Sequence, residues 1–189
     1  MNAWHLRLAV RTLRAGGVVA YPTEAVYGLG CDPFNQQAVL RLLAIKARAV
    51  DKGLILIAAN LDQLEPLLLP RSAETMAPVL DSWPGATTWL LPSRPRVPVW
   101  LTGGRDCIAV RVTAHPLAAS LCEGFGAPLV SSSANLSGRP PARTALQTRR
   151  AFGGRVDYFL SGATGGGARP SEVRDARDGR LLRAGGGGP

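Results

Sequence analysis

Short apolar runs at residues 18–21, 54–58, 87–91, 107–112, 129–130 and 156–160 punctuate the chain, and stretches with helical spacing fill most of the gaps between them. Runs of that length suit buried strands, and an amphipathic helix between two of them supplies the crossover that parallel neighbours need. The spacing predicts a helix at 3–15, with Leu6, Val10 and Leu13 on one face and Arg7, Arg11 and Arg14 on the other, and a second at 35–47 on the stripe Val39, Leu42 and Leu43. Ser72 is the expected cap of a helix to Ser82, residues 116–125 form another, and Thr144 with Gln147 gives the reciprocal capping pattern of a helix ending near Phe152. A shorter helix is expected at 61–68. Residues 172–183 read as a hairpin turning at Asp178-Gly179, so the sheet is mixed rather than purely parallel. The fold class is α/β: a twisted parallel and antiparallel sheet flanked by helices.

The chain's 189 residues suffice for one well-buried domain, placed at 1–184, with a flexible Gly-rich tail at 185–189. Pro22 is expected to stop the ladder of the first strand. Residues 92–104, rich in proline, arginine and glycine, read as an exposed loop without a buried element, and 162–167 as a flexible loop. No run approaches the roughly 18 apolar residues of a spanning helix, and the N-terminus lacks a charged-then-apolar leader, so the expectation is a cytoplasmic protein with no membrane association. Cys31, Cys107 and Cys122 are odd in number and widely spaced, and His5 and His115 are the only histidines. Neither a disulfide framework nor a zinc site is expected.

A net charge of +9 and a pI near 10.7 favour partners that carry phosphate, nucleic acid included. Of the 22 basic residues only Lys46 and Lys52 are lysines, and they lie six residues apart. Keeping a compact ammonium there, in a chain that otherwise uses the planar fork of arginine, marks residues 45–53 as a place where a point charge is wanted. Three further features bear on chemistry. In Tyr21-Pro22-Thr23-Glu24-Ala25-Val26-Tyr27-Gly28-Leu29-Gly30, Thr23 and Glu24 fall where a strand end meets a cleft, and Gly28 and Gly30 are read as permitting a tight or left-handed turn. Ser131 to Ser133, followed by Asn135 and Ser137-Gly138, suit either hydrogen bonds to phosphate or local turns at a strand end. Arg111 interrupts an apolar strand, so it must meet a carboxylate or a ligand. The chain has no phosphate-binding G-x-x-x-x-G-K-[ST] loop, no complete G-x-G-x-x-G, no H-E-x-x-H and no G-x-S-x-G, so the serines lack the setting of a nucleophile.

In their order and separation these stretches, with Trp83-Pro84-Gly85, Ile108-Ala109-Val110-Arg111, Ser171-Glu172-Val173-Arg174-Asp175 and Leu182-Arg183, resemble the YrdC/Sua5 family of threonylcarbamoyl-AMP synthases. Val50 to Ala58 is most similar to the short, single-domain TsaC-like form. The resemblance implies a YrdC-like domain with a basic concave cleft. It implies a nucleotidyltransferase that joins L-threonine, bicarbonate and ATP into threonylcarbamoyl-AMP and pyrophosphate, for modification of adenosine 37 in tRNAs reading codons that begin with A. By the same resemblance Lys46 and Arg48 are catalytic, Lys46, Arg48, Lys52, Ser133, Asn135 and Arg183 hold ATP, and Thr23, Arg111 and Ser171 hold threonine. Mg²⁺ is expected through the ATP phosphates rather than on protein ligands. TsaB, TsaD and TsaE are the implied protein partners, with tRNA or double-stranded RNA as a further one. The sequence departs from the family pattern at Ala25, in place of a second threonine, at Lys52, in place of asparagine, and at Ile57, in place of a histidine. An RNA-binding module is the rival reading.

Overall fold

The computed structural model describes residues 3–136, 138–167 and 171–184; the expected tail at 185–189 lies outside the described residues. In chain order the elements are α1 (Ala3–Arg14), β1 (Val19–Pro22), β2 (Tyr27–Gly30), α2 (Gln36–Lys46), β3 (Ile55–Ala58), α3 (Ala73–Asp81), β4 (Thr87–Pro92), α4 (Val99–Thr102), β5 (Cys107–Val112), α5 (Pro116–Phe125), β6 (Leu129–Ser133), α6 (Ala145–Phe152), β7 (Tyr158–Phe159), β8 (Glu172–Asp175) and β9 (Leu181–Arg183), with 3-10 turns at Val50–Lys52 and Glu65–Leu67. The expected caps form. Ser72 Oγ accepts from the Thr75 N–H, and Thr144 and Gln147 bond each other's backbone reciprocally. Asn35 and His115 also cap helices, α2 and α5.

One sheet joins all the strands in the order β7-β1-β2-β6-β3-β5-β4-β8-β9. Three of its pairs are parallel (β7 on β1, β3 on β5, β4 on β8) and the other five antiparallel, so it is mixed as the terminal hairpin implied. The two-residue period divides the central strands β1, β3 and β6 between two apolar layers. Ala20, Leu29, Leu56, Val110 and Val130 pack with Val39 and Leu42 of α2 and Phe152 of α6. Val19, Tyr21, Ile57 and Leu129 pack on the opposite face with Val10 and Leu13 of α1 and Leu117 and Leu121 of α5.

Two expectations are corrected and one is refined. Pro22 stops the ladder from within rather than from outside it: it is the last residue of β1, opposite Tyr27. Gly28 and Gly30 are not turn glycines with left-handed backbones but members of β2, and neither has a positive φ. Gly30 is required for close approach, because a Cβ there would stand 2.4 Å from Val130 O and 2.8 Å from the Tyr21 ring. Residues 92–104 are not wholly an exposed loop: α4 forms inside them, with Val97, Leu101 and Thr102 buried. Proline and glycine punctuate the segment without preventing one apolar turn from docking on the core.

Candidate active site

The register builds the site. Arg111 lies beside Ile57, Ser131 beside Ile55 and Ser133 beside Gly28, which puts all of them on the α1/α5 face. Those two helices pack on β7, β1 and β3 and leave the rest of that face as a cleft of about 660 Å³. Its walls bring together Thr23, Arg48, Arg111, Ser133, Asn135, Ser171 and Arg183, which the sequence scatters over 161 positions. Lys52 instead lines an adjoining recess of about 220 Å³, together with Arg105 and with Arg48 and Arg183, which belong to both. Lys46 lines neither and lies under the β6 end, 5% exposed.

The end of α2 separates Lys46 from Arg48. Ala47 takes a left-handed conformation, φ 49°, unusual for a residue with a Cβ. Lys46 stays tucked in, and its ammonium donates to the carbonyls of Ser133 and, at 2.9 Å, of Asn135. Burial, with Arg48 nearby, lowers its pKa to about 8. Arg48 turns outward to the cleft and donates to Gly53 O at 3.0 Å. Ser133 Oγ donates to Asn135 Oδ1 at 2.6 Å, and the Asn135 amide donates to Leu136 O and Arg139 O at 3.1 and 2.9 Å. The asparagine therefore shapes the loop after β6. Thr23 Oγ1 donates to Val26 O at 2.7 Å and closes its own turn. Ser171 Oγ meets Thr88 Oγ1 at 3.2 Å, and its carbonyl accepts from Arg183 at the same distance.

Arg111 meets a carboxylate, Glu24, at 3.3 Å. Glu24 Oε1 also accepts from Thr113 Oγ1 at 2.6 Å and from the Ala114 N–H at 3.1 Å. Burial pushes this carboxyl up, but Arg111 and those donors outweigh it and hold it below its ordinary range. Sequence reasoning missed Glu24 as a site residue. The signal was present, since a lone arginine in an apolar strand calls for a partner and Glu24 was already at the strand end. Arg139 and Arg143 also line the cleft unforeseen. Among the described residues Glu24 is the one acidic group on its wall, against Arg48, Arg111, Arg139, Arg143 and Arg183. Burial lowers the Arg183 pKa, and the like charges of Arg48 and Arg111 lower it further. Such crowding of cations is relieved when an anion enters.

The Sua5/YciO/YrdC family model, described as telomere recombination, matches residues 11–185. The chain belongs to the Sua5/YrdC family. A threonylcarbamoyl-AMP synthase of Nitrosococcus oceani is 57% identical over 95% of the chain and 97% of that relative. The synthase of Methylococcus capsulatus is 54% identical over 97% and 98%. Among solved structures, P. abyssi Sua5 complexed with L-threonine matches with a TM-score of 0.92 at 36% identity, covering 98% of the chain. The chain spans only 55% of that Sua5. E. coli YciO matches with a TM-score of 0.87 at 26% identity, covering 99% of the chain and 92% of YciO. The mixed α/β sheet is thus the architecture of the Sua5/YrdC family.

Proposed function

We propose that this cleft makes threonylcarbamoyl-AMP. Threonine's amine takes up bicarbonate with loss of water, giving a carbamate. A carbamate oxygen attacks the α-phosphorus of ATP, the bond from that phosphorus to the β-phosphate bridge breaks, and pyrophosphate leaves. The observation that carries the reading is the convergence of Arg48, Arg111 and Arg183 with Ser133, Ser171 and Asn135 in one cleft, in a chain 52–57% identical over nearly its whole length to proteins named threonylcarbamoyl-AMP synthase. Substrates supply both nucleophile and leaving group, so the protein's work is alignment and charge neutralisation.

Arg48 and Arg183 face the phosphates and Ser133 orients them, with Lys52 reaching the phosphate tail from the adjoining recess. Lys46 supports this set from below: it fixes the Ser133 and Asn135 backbone and adds positive charge. Arg111, Thr23 and Ser171 hold threonine, Arg111 by a two-point grip on the carboxylate. Mg²⁺ enters as the counterion of the ATP phosphates. The product goes to adenosine 37 of tRNA in the cytoplasm, with TsaB, TsaD and TsaE as transfer partners. Among the described residues no helix is long and apolar enough to cross a membrane.

Protein supplied with Mg²⁺ and ATP should release pyrophosphate only when threonine and bicarbonate are both present. Lys46→Ala should slow that release roughly 10²- to 10³-fold, with poor rescue by Lys46→Arg, whose planar group does not fit between two carbonyls. Pyrophosphate release that ignores threonine, or undiminished turnover by Lys46→Ala, overturns the proposal.

A further inference from the structure

Residues 160–167 leave β7 and run along the strand end that carries Thr23 and Glu24. The Leu160 N–H donates to Ala20 O at 2.8 Å. Tyr27 then ties the chain at Gly162 twice, its hydroxyl donating to Gly162 O at 2.5 Å and accepting from the Gly162 N–H at 3.0 Å. The Gly165 N–H donates to Thr23 O at 3.0 Å, and the Gly167 N–H to Glu24 O at 2.8 Å. His115 adds a tie: its Nδ1 faces the Ala118 N–H, so its Nε2 carries the proton and donates to Ala163 O at 3.0 Å. The segment expected to be a flexible loop is therefore bonded along its length to the turn at the cleft.

Gly165 and Gly167 have no positive φ, so backbone freedom does not explain them. Contact does. A Cβ at Gly165 would stand 3.1 Å from Glu24 O and 3.2 Å from its Cα, and one at Gly167 would stand 2.9 Å from Glu24 O. Two bare backbones are pressed together at the residue whose side chain sets Arg111. Thr113 and Ala114 hold the Glu24 carboxylate from the other side, so Glu24 is gripped at main chain and side chain alike. Within the pair, Glu24 Oε2 meets only the Arg111 guanidinium, at 3.3 Å, and Arg111 Nε is buried with no hydrogen-bond partner.

We infer that the glycine strap at 162–167 is a positioning element for the amino-acid side of the cleft, with Gly165, Gly167 and Tyr27 acting through Glu24 on Arg111. The inference rests on the synthase reading for the identity of the amino acid. It separates the two substrates, because the strap meets the Thr23–Glu24 turn and bonds neither Arg48 nor Ser133.

The test compares wild type with Gly167→Ala and Tyr27→Phe, reading pyrophosphate release against threonine and against ATP, and threonine binding directly by calorimetry. Tyr27→Phe keeps the ring in the core and removes only the hydroxyl, so it remains informative if Gly167→Ala does not fold. The expected result is a threonine KM and Kd raised roughly 10- to 100-fold, with the ATP KM and the turnover at saturating substrates near wild type. A folded variant with wild-type threonine constants, or with ATP and threonine weakened equally, overturns the inference. Wild type that binds threonine without releasing pyrophosphate would defeat the synthase reading alone, and the variants' Kd values would still decide the role of the strap. Wild type that fails to bind threonine at all defeats both.

Discussion

Lys46 and Arg48 stand two residues apart and do different physical work. The left-handed Ala47 between them turns Arg48 to the cleft and leaves Lys46 under β6. With burial and Arg48 lowering the ammonium from 10.5 to about 8, the unfolded chain holds a proton between those values that the folded chain has released. Folding stability therefore rises with pH from about 8 toward 10.5, and below that window the cost of the buried charge is present in full. Lys46→Met should abolish this rise, which in wild type cannot exceed about 1.4 kcal/mol per pH unit. Urea midpoints of both proteins at about pH 7.5 and about pH 9 measure it. The thiols of Cys31, Cys107 and Cys122, all raised by burial, oppose the trend above their ordinary value in both proteins and cancel in the comparison. Parallel pH dependence in the two proteins would show that Lys46 is not the group responsible.

At the scale of elements, the β8–β9 hairpin separates a structural strand from a functional one. β8 pairs with β4 over four residues and buries Asp175, whereas β9 pairs with β8 alone and all three of its residues are exposed. What β9 delivers is Arg183, on the wall of the cleft. Ending the chain after Arg180 keeps the bond from the Asp175 N–H to Arg180 O and deletes Arg183. The shortened protein should still unfold cooperatively, while its ATP affinity falls by about tenfold, the effect of losing one hydrogen bond to a charged group. Equal ATP affinity in the two proteins would remove the hairpin from the nucleotide site.

Across the whole molecule, two helices cover one part of a sheet face and leave the other part to a cleft whose wall carries five arginines and one glutamate among the described residues. With a net charge of +9, generic attraction to RNA adds to whatever the cleft does, and salt tells the two apart. Binding of a double-stranded RNA should weaken steeply as salt rises, with log affinity falling in proportion to the phosphates contacted. Threonine-dependent pyrophosphate release should persist at salt that abolishes the RNA complex. Release that declines in step with RNA binding would make the cleft chemistry secondary to an RNA platform.

The sequence by itself determined the fold class and most of the elements, because apolar period, caps and the Asp178-Gly179 turn are local signals and the structure follows them. It also named seven residues that meet in one cleft, since the motifs carried them in order. Its failures were tertiary. Gly28 and Gly30 looked like turn residues because glycine has two physical uses, and only the approach of Val130 and Tyr21 reveals which one applies. Leu101 looked like part of a loop because its core lies on another element. Glu24 and the strap at 162–167 escaped because their meaning is a pairing across 87 positions of chain with Arg111 and a contact of bare backbones with Gly165 and Gly167. Such contacts leave no periodic trace: folding brings the groups together, and their charge and bulk become decisive only at that distance.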